Sequence, residues 1–445
     1  MQKIYSVLCW LCITSHCCAQ PDIPFIAGYT PNIHQLKPDA EPGLLKKQSL
    51  ADTSVINKLL LTATAKAVKK DFKGAADDYS FVLETDSSCS FVFFRRAIVK
   101  DSMQDIKGAI EDYTRAIEKG AYTAMAYLNR GIAKDGLGDS SGALADFSMA
   151  ISFDSLYTLA YTNRAITKGN MEDYRGAIDD YTQAISTDQR FTPAWEGRAS
   201  SKKAIHDFTG AMEDYSKAVE LDPANPVLYY SRGQVKDSLR NFKSAIADYT
   251  ASVKLSPDVP DYYISRAAAK DSMGDYKGAV ADYDKALAIE PAYVQLYLWS
   301  ALARIKVNDL QGALDYCNLA IRTNNTCAEA CKIKGMIKYE QKDYLGAIGE
   351  YNKAIELQPE FAEAYRRRGF AKANLRDLTG ALNDYSKAIT LNSEDTEAYY
   401  NRGIIKLAAG QNEPGCRDIA KAAAGGHEAA RKMVKKYCGE MQPDQ

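Results

Sequence analysis

The sequence predicts an all-α fold, an α-solenoid built from antiparallel helix pairs. One observation is a recurrence. The Ala at the centre of phrases such as GDYKGAVADYDKA stands at 75, 109, 143, 177, 211, 245, 279, 313, 347 and 381, always 34 residues apart. An eleventh copy, with Gly415 at that place, keeps the register. Eleven uninterrupted copies over 56–429 mark one supersecondary unit repeated in series. A second observation is spacing. With each repeat numbered 1–34 and that Ala at 20, small residues fall at 8, 20 and 27 and aromatic residues at 4 and 24. Separations of three and four residues belong to helices. The third is composition, with 46% hydrophobic and 25% charged residues and a net charge of -1. That is too apolar for a disordered chain. The lack of a Lys/Arg excess argues against a nucleic-acid partner. No run of 18 apolar residues exists, so no transmembrane helix is expected.

Taken in order, residues 1–19, MQKIYSVLCWLCITSHCCA, read as a signal peptide. Lys3 gives the positive start, Ile4 to Ile13 the apolar stretch, and Cys17 and Ala19 the small residues before a cut at Gln20. Export to a periplasm or the extracellular space is expected. His16 suits a lipid-anchored Cys17 poorly, so no lipid anchor is expected. Residues 20–50 hold Pro21, Pro24, Pro31, Pro38 and Pro42 and read as an irregular lead-in. Residues 51–429 carry the repeats, each a helix, a tight turn and a second helix. Position 16 is Asp apart from Asn241 and Gln411, which suits the N-cap of the second helix. Small residues at 8 and 20 let the two helices cross closely, and aromatics such as Phe93, Tyr127 and Trp195 fill the space alongside. A capping helix is expected over 427–438, with Ala430, Met433, Val434 and Tyr437 on one stripe and Arg431, Lys432, Lys435 and Lys436 facing away. Residues 439–445 are a tail.

These positions resemble the tetratricopeptide repeat family, whose pattern also places Pro at 32, here Pro223, Pro257, Pro291 and Pro359. The resemblance implies a right-handed superhelix with the first helices lining a concave face. It also implies a non-catalytic scaffold that takes a protein or peptide ligand through positions 2, 5, 9, 12 and 13, with no cofactor.

Two places depart from that pattern. Position 7 is Arg in Arg96, Arg130, Arg164, Arg198, Arg232, Arg266, Arg368 and Arg402. Position 23 is acidic in Asp112, Asp146, Asp180, Asp214, Asp248, Asp282, Asp384 and Asp418. The exceptions in repeats 8 and 9 change together, Ser300 with Tyr316 losing both charges and Lys334 with Glu350 keeping both, whereas repeat 1 has Thr62 with Asp78 and breaks the rule. A structural ladder of paired charges follows, within a repeat or across a junction, because the Arg fork engages a carboxylate with two bonds. Position 11, basic from Lys66 to Lys406, is either a second rung or a solvated row.

No catalytic motif stands out. His34, His206 and His427 are far apart, and carboxylate pairs such as Asp179/Asp180 are repeated structural positions. No enzyme is expected. Cys317, Cys327 and Cys331 have no His or fourth Cys close by, so no metal site is expected. Whether these three pair among themselves is left open. Cys416 and Cys438 lie at similar levels on either side of the Gly425-Gly426 turn, which makes a disulfide possible in an oxidising compartment.

Carried onto the family's groove positions, the candidate binding residues are Phe94, Leu128, Tyr230, Ile264, Leu298 and Tyr400 at position 5. Ile98, Ile132, Leu302 and Phe370 stand at position 9, and Asp101, Asp135, Asp237 and Asp271 at position 12. Such a groove suits a partly apolar segment carrying Lys or Arg, unless positions 5 and 9 only pack neighbouring helices. Trp299 at position 6 is either a binding hot spot or a filler for the missing Arg of repeat 8, and that junction is alternatively a softer point in the array. Two other functions stay open: a glycan or cell-wall binding module, and an accessory subunit of an envelope or secretion assembly.

Overall fold

The computed structural model describes residues 50–438. The signal-peptide assignment, the lead-in before residue 50 and the tail at 439–445 lie outside them. The chain divides into two compact units, residues up to Asn241 and from Phe242 onward.

The first unit contains α1 (Leu50–Val68), α2 (Phe72–Thr85), α3 (Ser90–Ser102), α4 (Ile106–Glu118), α5 (Thr123–Gly136) and α6 (Ser140–Phe153). It continues with α7 (Thr158–Asn170), α8 (Tyr174–Thr187), α9 (Thr192–Ala204), α10 (Phe208–Leu221) and α11 (Pro226–Ser238). The second unit begins with α12 (Phe242–Leu255), α13 (Pro260–Ser272), α14 (Tyr276–Ile289), α15 (Val294–Lys306), α16 (Leu310–Thr323) and α17 (Ala328–Glu340). It ends with α18 (Tyr344–Leu357), α19 (Ala362–Asn374), α20 (Leu378–Leu391), α21 (Thr396–Ala408), α22 (Asn412–Ala424) and α23 (Glu428–Met433). No strand occurs among the described residues. Within each unit the helices pack serially, odd-numbered helices up to α21 opening the repeats in the first unit and in the second.

The repeated phrase has a local physical cause. In nine repeats the position-16 Asp caps the second helix, its carboxylate accepting from the backbone N–H of the Gly at position 19, as Asp173 does from Gly176 at 3.0 Å. A Cβ on that Gly would collide with the cap carboxylate. The Ala after it is fully buried in every repeat that has one. Repeat 11 has Gln411 and no side-chain cap. Its position 19 is Pro414, which has no N–H to offer. The turn between the helices passes through one left-handed residue per repeat, from Lys70 to Gly410, which lets the chain reverse tightly.

Position 8 meets position 24 of the same repeat. Gly131, Gly335 and Gly369 lie against the rings of Phe147, Tyr351 and Tyr385, so close that a Cβ would clash. The core is therefore a series of small clusters, one per repeat or junction, rather than a single globule.

The C-terminal cap differs from the expected helix over 427–438. The α-helix stops at Met433, and Val434–Cys438 continues as a π-turn. Ala430 is buried and Met433 and Val434 pack on the last repeat, while Arg431, Lys432, Lys435 and Lys436 are exposed. Cys416 and Cys438 form a disulfide with Cα atoms 5.5 Å apart. Widening of the last turn ends the helix on the bridged Cys438. Cys89, Cys317, Cys327 and Cys331 are free and buried.

Candidate functional site

The charge ladder forms within repeats. In repeats 2 to 5, 7, 10 and 11 the position-7 Arg grips the position-23 Asp with two bonds of 2.6–2.9 Å, as Arg130 grips Asp146, Arg164 grips Asp180 and Arg266 grips Asp282. Arg232 and Asp248 lie in different compact units. The Asp side chains are almost fully buried. Position 11 is a second rung: Lys134, Lys168 and Lys270 reach the same carboxylates at 2.7–2.8 Å. A buried carboxylate is thus matched by two cations, which offsets its desolvation. The aromatic at position 4 lies beneath the guanidinium, with Arg198 4.9 Å from the Trp195 ring centroid.

The same Arg also crosses the junction. Its remaining nitrogen donates to position 25 of the preceding repeat: Arg130 to Thr114 at 3.0 Å, Arg164 to Ser148 at 3.0 Å, Arg232 to Ser216 at 3.4 Å and Arg266 to Thr250 at 3.2 Å. Of the two options open in the sequence, the ion pair forms within the repeat, and the junction is crossed instead by a hydroxyl contact to position 25.

Repeat 8 lacks both charges at positions 7 and 23 but is not without an ionic contact. The carboxylate has moved to Asp284, at position 25 of repeat 7. Ser300 donates to it at 3.2 Å, Tyr316 at 2.8 Å and Arg304 at 2.7 Å. Arg304 also pairs with Asp309 at 2.6 Å and lies 4.3 Å from the Tyr316 ring centroid. The ladder has been rewired across the junction. Trp299 is half-buried, packed between Tyr283 and Tyr293 with centroids 6.1 Å from each. It stands where Gly197 of repeat 5 meets Tyr181, at the contact with the preceding repeat's aromatic.

Groove positions from successive first helices do share a face. Lys203 at position 12 donates to Gln234 at position 9, 3.1 Å away, in the first unit. In the second, Lys332 at position 5 pairs with Glu363 at position 2 at 2.9 Å, and Asn374 at position 13 donates to Tyr339 at position 12 at 2.9 Å. Not all candidates are accessible there. Phe94, Ile98, Leu128 and Leu298 are buried and serve packing. Ile132, Tyr230, Ile264, Leu302, Phe370 and Tyr400 are half-buried. His427 stacks on Tyr400, centroids 4.1 Å apart.

The face changes character along the chain. In the first unit Asp101, Asp135 and Asp237 are half-buried, and Asp271 in the second is exposed. Burial pushes the Asp101, Asp237 and Glu196 carboxyls above their ordinary values. Asp135 accepts from Ser140 at 3.0 Å. Asp101 and Glu196 have no ion-pair partner among the described residues. Repeats 9 and 10 carry instead a charged node that the sequence reading missed. Glu363 is held by Lys332 and by Arg367 at 2.7 Å, and Arg366 pairs with Asp395 at 3.0 Å. Burial would raise the Glu363 carboxyl, but Lys332, Arg367 and Arg366 outweigh it and hold it at about 2. Between α19 and α21 opens a cleft of about 210 Å³, lined by Phe370, Ala373, Asn374, Asn401, Ile404 and Ile405, with Tyr385 behind.

Among the described residues no group of three or more His, Cys, Asp or Glu is placed to hold a metal, and no helix is long and apolar enough to cross a membrane. Burial pushes the Cys317 thiol up to about 12, the state of a packing residue rather than a nucleophile.

Comparisons with known proteins agree on one repeat type. A profile described as TPR repeat matches residues 206–236 and 335–375, and one described as Tetratricopeptide repeat matches 227–259 and 260–293. No curated protein matches the chain in sequence. Among solved structures, yeast Tom70 is 17% identical, covering 87% of this chain and 96% of its own, with a TM-score of 0.44. A tetratricopeptide repeat protein from Parabacteroides merdae is 17% identical over 56% of this chain and 98% of its own, at 0.40. YrrB, described as having an unusual peptide-binding site, is 22% identical over 45% of this chain and 99% of its own, at 0.35.

Proposed function

The chain belongs to the tetratricopeptide repeat family, and from that premise we propose that it is a non-catalytic scaffold holding an extended protein or peptide segment along its first-helix face. The observation that carries this reading is the open cleft between α19 and α21. Its apolar wall of Phe370, Ala373 and Ile404 accepts a partner's aliphatic or aromatic side chain. The Asn374 and Asn401 side-chain carbonyls stand beside it as acceptors for a partner backbone, while their nitrogens already donate to Tyr339, Phe370 and Glu397. In the first unit, the unpaired Asp101 and Glu196 favour a partner carrying Lys or Arg.

We further propose that the scaffold is exported after removal of residues 1–19. The Cys416–Cys438 disulfide supports this, because such bonds persist in oxidising compartments. N-terminal sequencing of the mature protein is then expected to begin at Gln20.

The binding reading is tested on an array of extended peptides that vary apolar and basic content. Segments combining the two should bind best. Phe370→Ala with Ile404→Ala should weaken the retained peptides roughly tenfold, as expected for a lost apolar anchor. Retention of purely acidic peptides, or indifference to both substitutions, would remove the assignment of this face.

A further inference from the structure

Among the described residues, every junction between consecutive repeats but one carries a polar rung between position 7 and position 25. Six are Arg to Ser or Thr from Arg96–Ser80 to Arg266–Thr250, and Arg402–Ser386 closes the last junction at 3.1 Å. Repeats 9 and 10 are joined by Arg368 donating to Asn352 at 2.8 Å. Repeats 7 and 8 use the inverted form, Ser300 to Asp284. At the junction of repeats 8 and 9 the corresponding residues are Asn318 and Lys334. Lys334 turns to Glu350 of its own repeat, 3.6 Å away, and the exposed Asn318 side chain has no hydrogen-bond partner among the described residues.

The apolar contact at this junction differs in kind, a cluster of Ala, Cys, Leu and Ile side chains spanning repeats 8 and 9. Cys317 takes the place of the position-24 aromatic, and Cys331 that of the position-4 aromatic. Cys317 packs in the cluster that spans repeats 8 and 9, and Cys331 in the next one with Ala354, Ala364 and Ile321. Ile333 and Ile337 lend the first of these clusters smooth aliphatic surface. Aliphatic packing is non-directional, whereas an Arg fork fixes one geometry.

We propose that the junction between repeats 8 and 9 is a shear plane, the place where the second unit yields first. It separates two stretches of the first-helix face with different chemistry. Upstream stand Ile264 and Leu302; downstream stand Lys332, Glu363 and Arg366. Sliding here changes the register between Ile264 and Leu302 on one side and, on the other, the charged node with the apolar cleft of Phe370 and Ile404 beyond it. Upstream, three bonds converge on Asp284. Downstream, Lys332–Glu363 and Arg368–Asn352 do the same work. The inference stands on packing alone and does not depend on the identity of a partner.

Amide hydrogen exchange on the full chain tests it. Amides of α16 and α17 should exchange roughly fivefold faster than matched amides of α20 and α21, the factor expected for one missing hydrogen bond. Lys334→Arg places a fork beside Asn318, as Arg368 lies beside Asn352, and should slow α16 and α17 to the level of the other junctions. Ser386→Ala, which removes the rung between repeats 10 and 11, should speed α20 and α21 by a similar factor. Asn318→Ala should change nothing. Equal protection of the two junctions in the parent chain, or faster exchange on Asn318→Ala, would overturn the proposal. So would Lys334→Arg that folds normally but leaves α16 and α17 unchanged.

Discussion

Repeat 4 and repeat 8 meet the same packing demand with different atoms. Each must hold two helices together and join the previous repeat while leaving little polar surface unsatisfied. Repeat 4 buries its own carboxylate, Asp180, clasps it with Arg164 and Lys168, and reaches back to Ser148 with the spare guanidinium nitrogen. Repeat 8 has no carboxylate at that place. It takes Asp284 from its neighbour and turns Ser300, Arg304 and Tyr316 toward it. The constraint is on the local sum of charges and donors, not on which repeat supplies them. Covariation among copies within one chain therefore reports contacts across a junction as well as inside a repeat.

The largest expected effect comes from removing the buried centre of the regular ladder. Asp180→Ala leaves Arg164 and Lys168 facing each other without a counter-charge and should cost about 3–5 kcal/mol in denaturant unfolding. Asp284→Ala should cost less, about 2 kcal/mol, since its carboxylate is about a third exposed and Arg304 keeps Asp309. The comparison is sharpened by transplanting the wiring. Asp180→Tyr with Arg164→Ser should be strongly destabilising, and adding Ser148→Asp with Lys168→Arg should recover most of the loss. Failure to recover would mean that the backbone, not the side-chain sum, distinguishes the two repeats.

Acid separates the charged node of repeats 9 and 10 from the rest of the face. Glu363 is held at about 2, below its unfolded value near 4.3. Its contribution is fully present above that unfolded value and is lost as pH falls through about 4 toward 2. Glu363→Gln should therefore flatten the acid limb of the stability curve, by roughly 2 kcal/mol between pH 6 and pH 2. The smallest effect contrasts two helix starts. Asp173→Ala should cost about 1 kcal/mol. Gln411→Asp should gain less than that, because Pro414 has no N–H and only the Glu413 N–H remains for a cap carboxylate.

Much of this architecture could be read in the sequence. The 34-residue period, the small residues at 8 and 20 and the aromatics at 4 and 24 name the helix pair and its crossing. Paired loss at positions 7 and 23 revealed the ladder before any geometry. What escaped was whatever lacked a chemical signature of its own. Ser148 or Thr114 at position 25 looks like any solvated hydroxyl until the Arg of the next repeat is laid beside it. Asp284 looks like a surface acid, although it interrupts a run of Ser and Thr at that position. Of the groove positions, depth was not legible. Phe94 and Leu128 are buried where Ile132 and Tyr230 are not, and the residue types alone do not distinguish them. Lys332, Glu363 and Arg366 were missed because position 5 is elsewhere mostly apolar or aromatic, as in Phe94, Leu128, Ile264 and Leu298, so nothing in the repeat pattern pointed to an ion pair there.

A double-mutant cycle across the junction of repeats 7 and 8 tests the rewiring most directly. Tyr316→Phe, Asp284→Asn and their combination are measured by denaturant unfolding. The account predicts a coupling energy of about 1 kcal/mol or more, since the Tyr316 hydroxyl donates to a carboxylate. Coupling near zero, with the two losses simply adding, would contradict it.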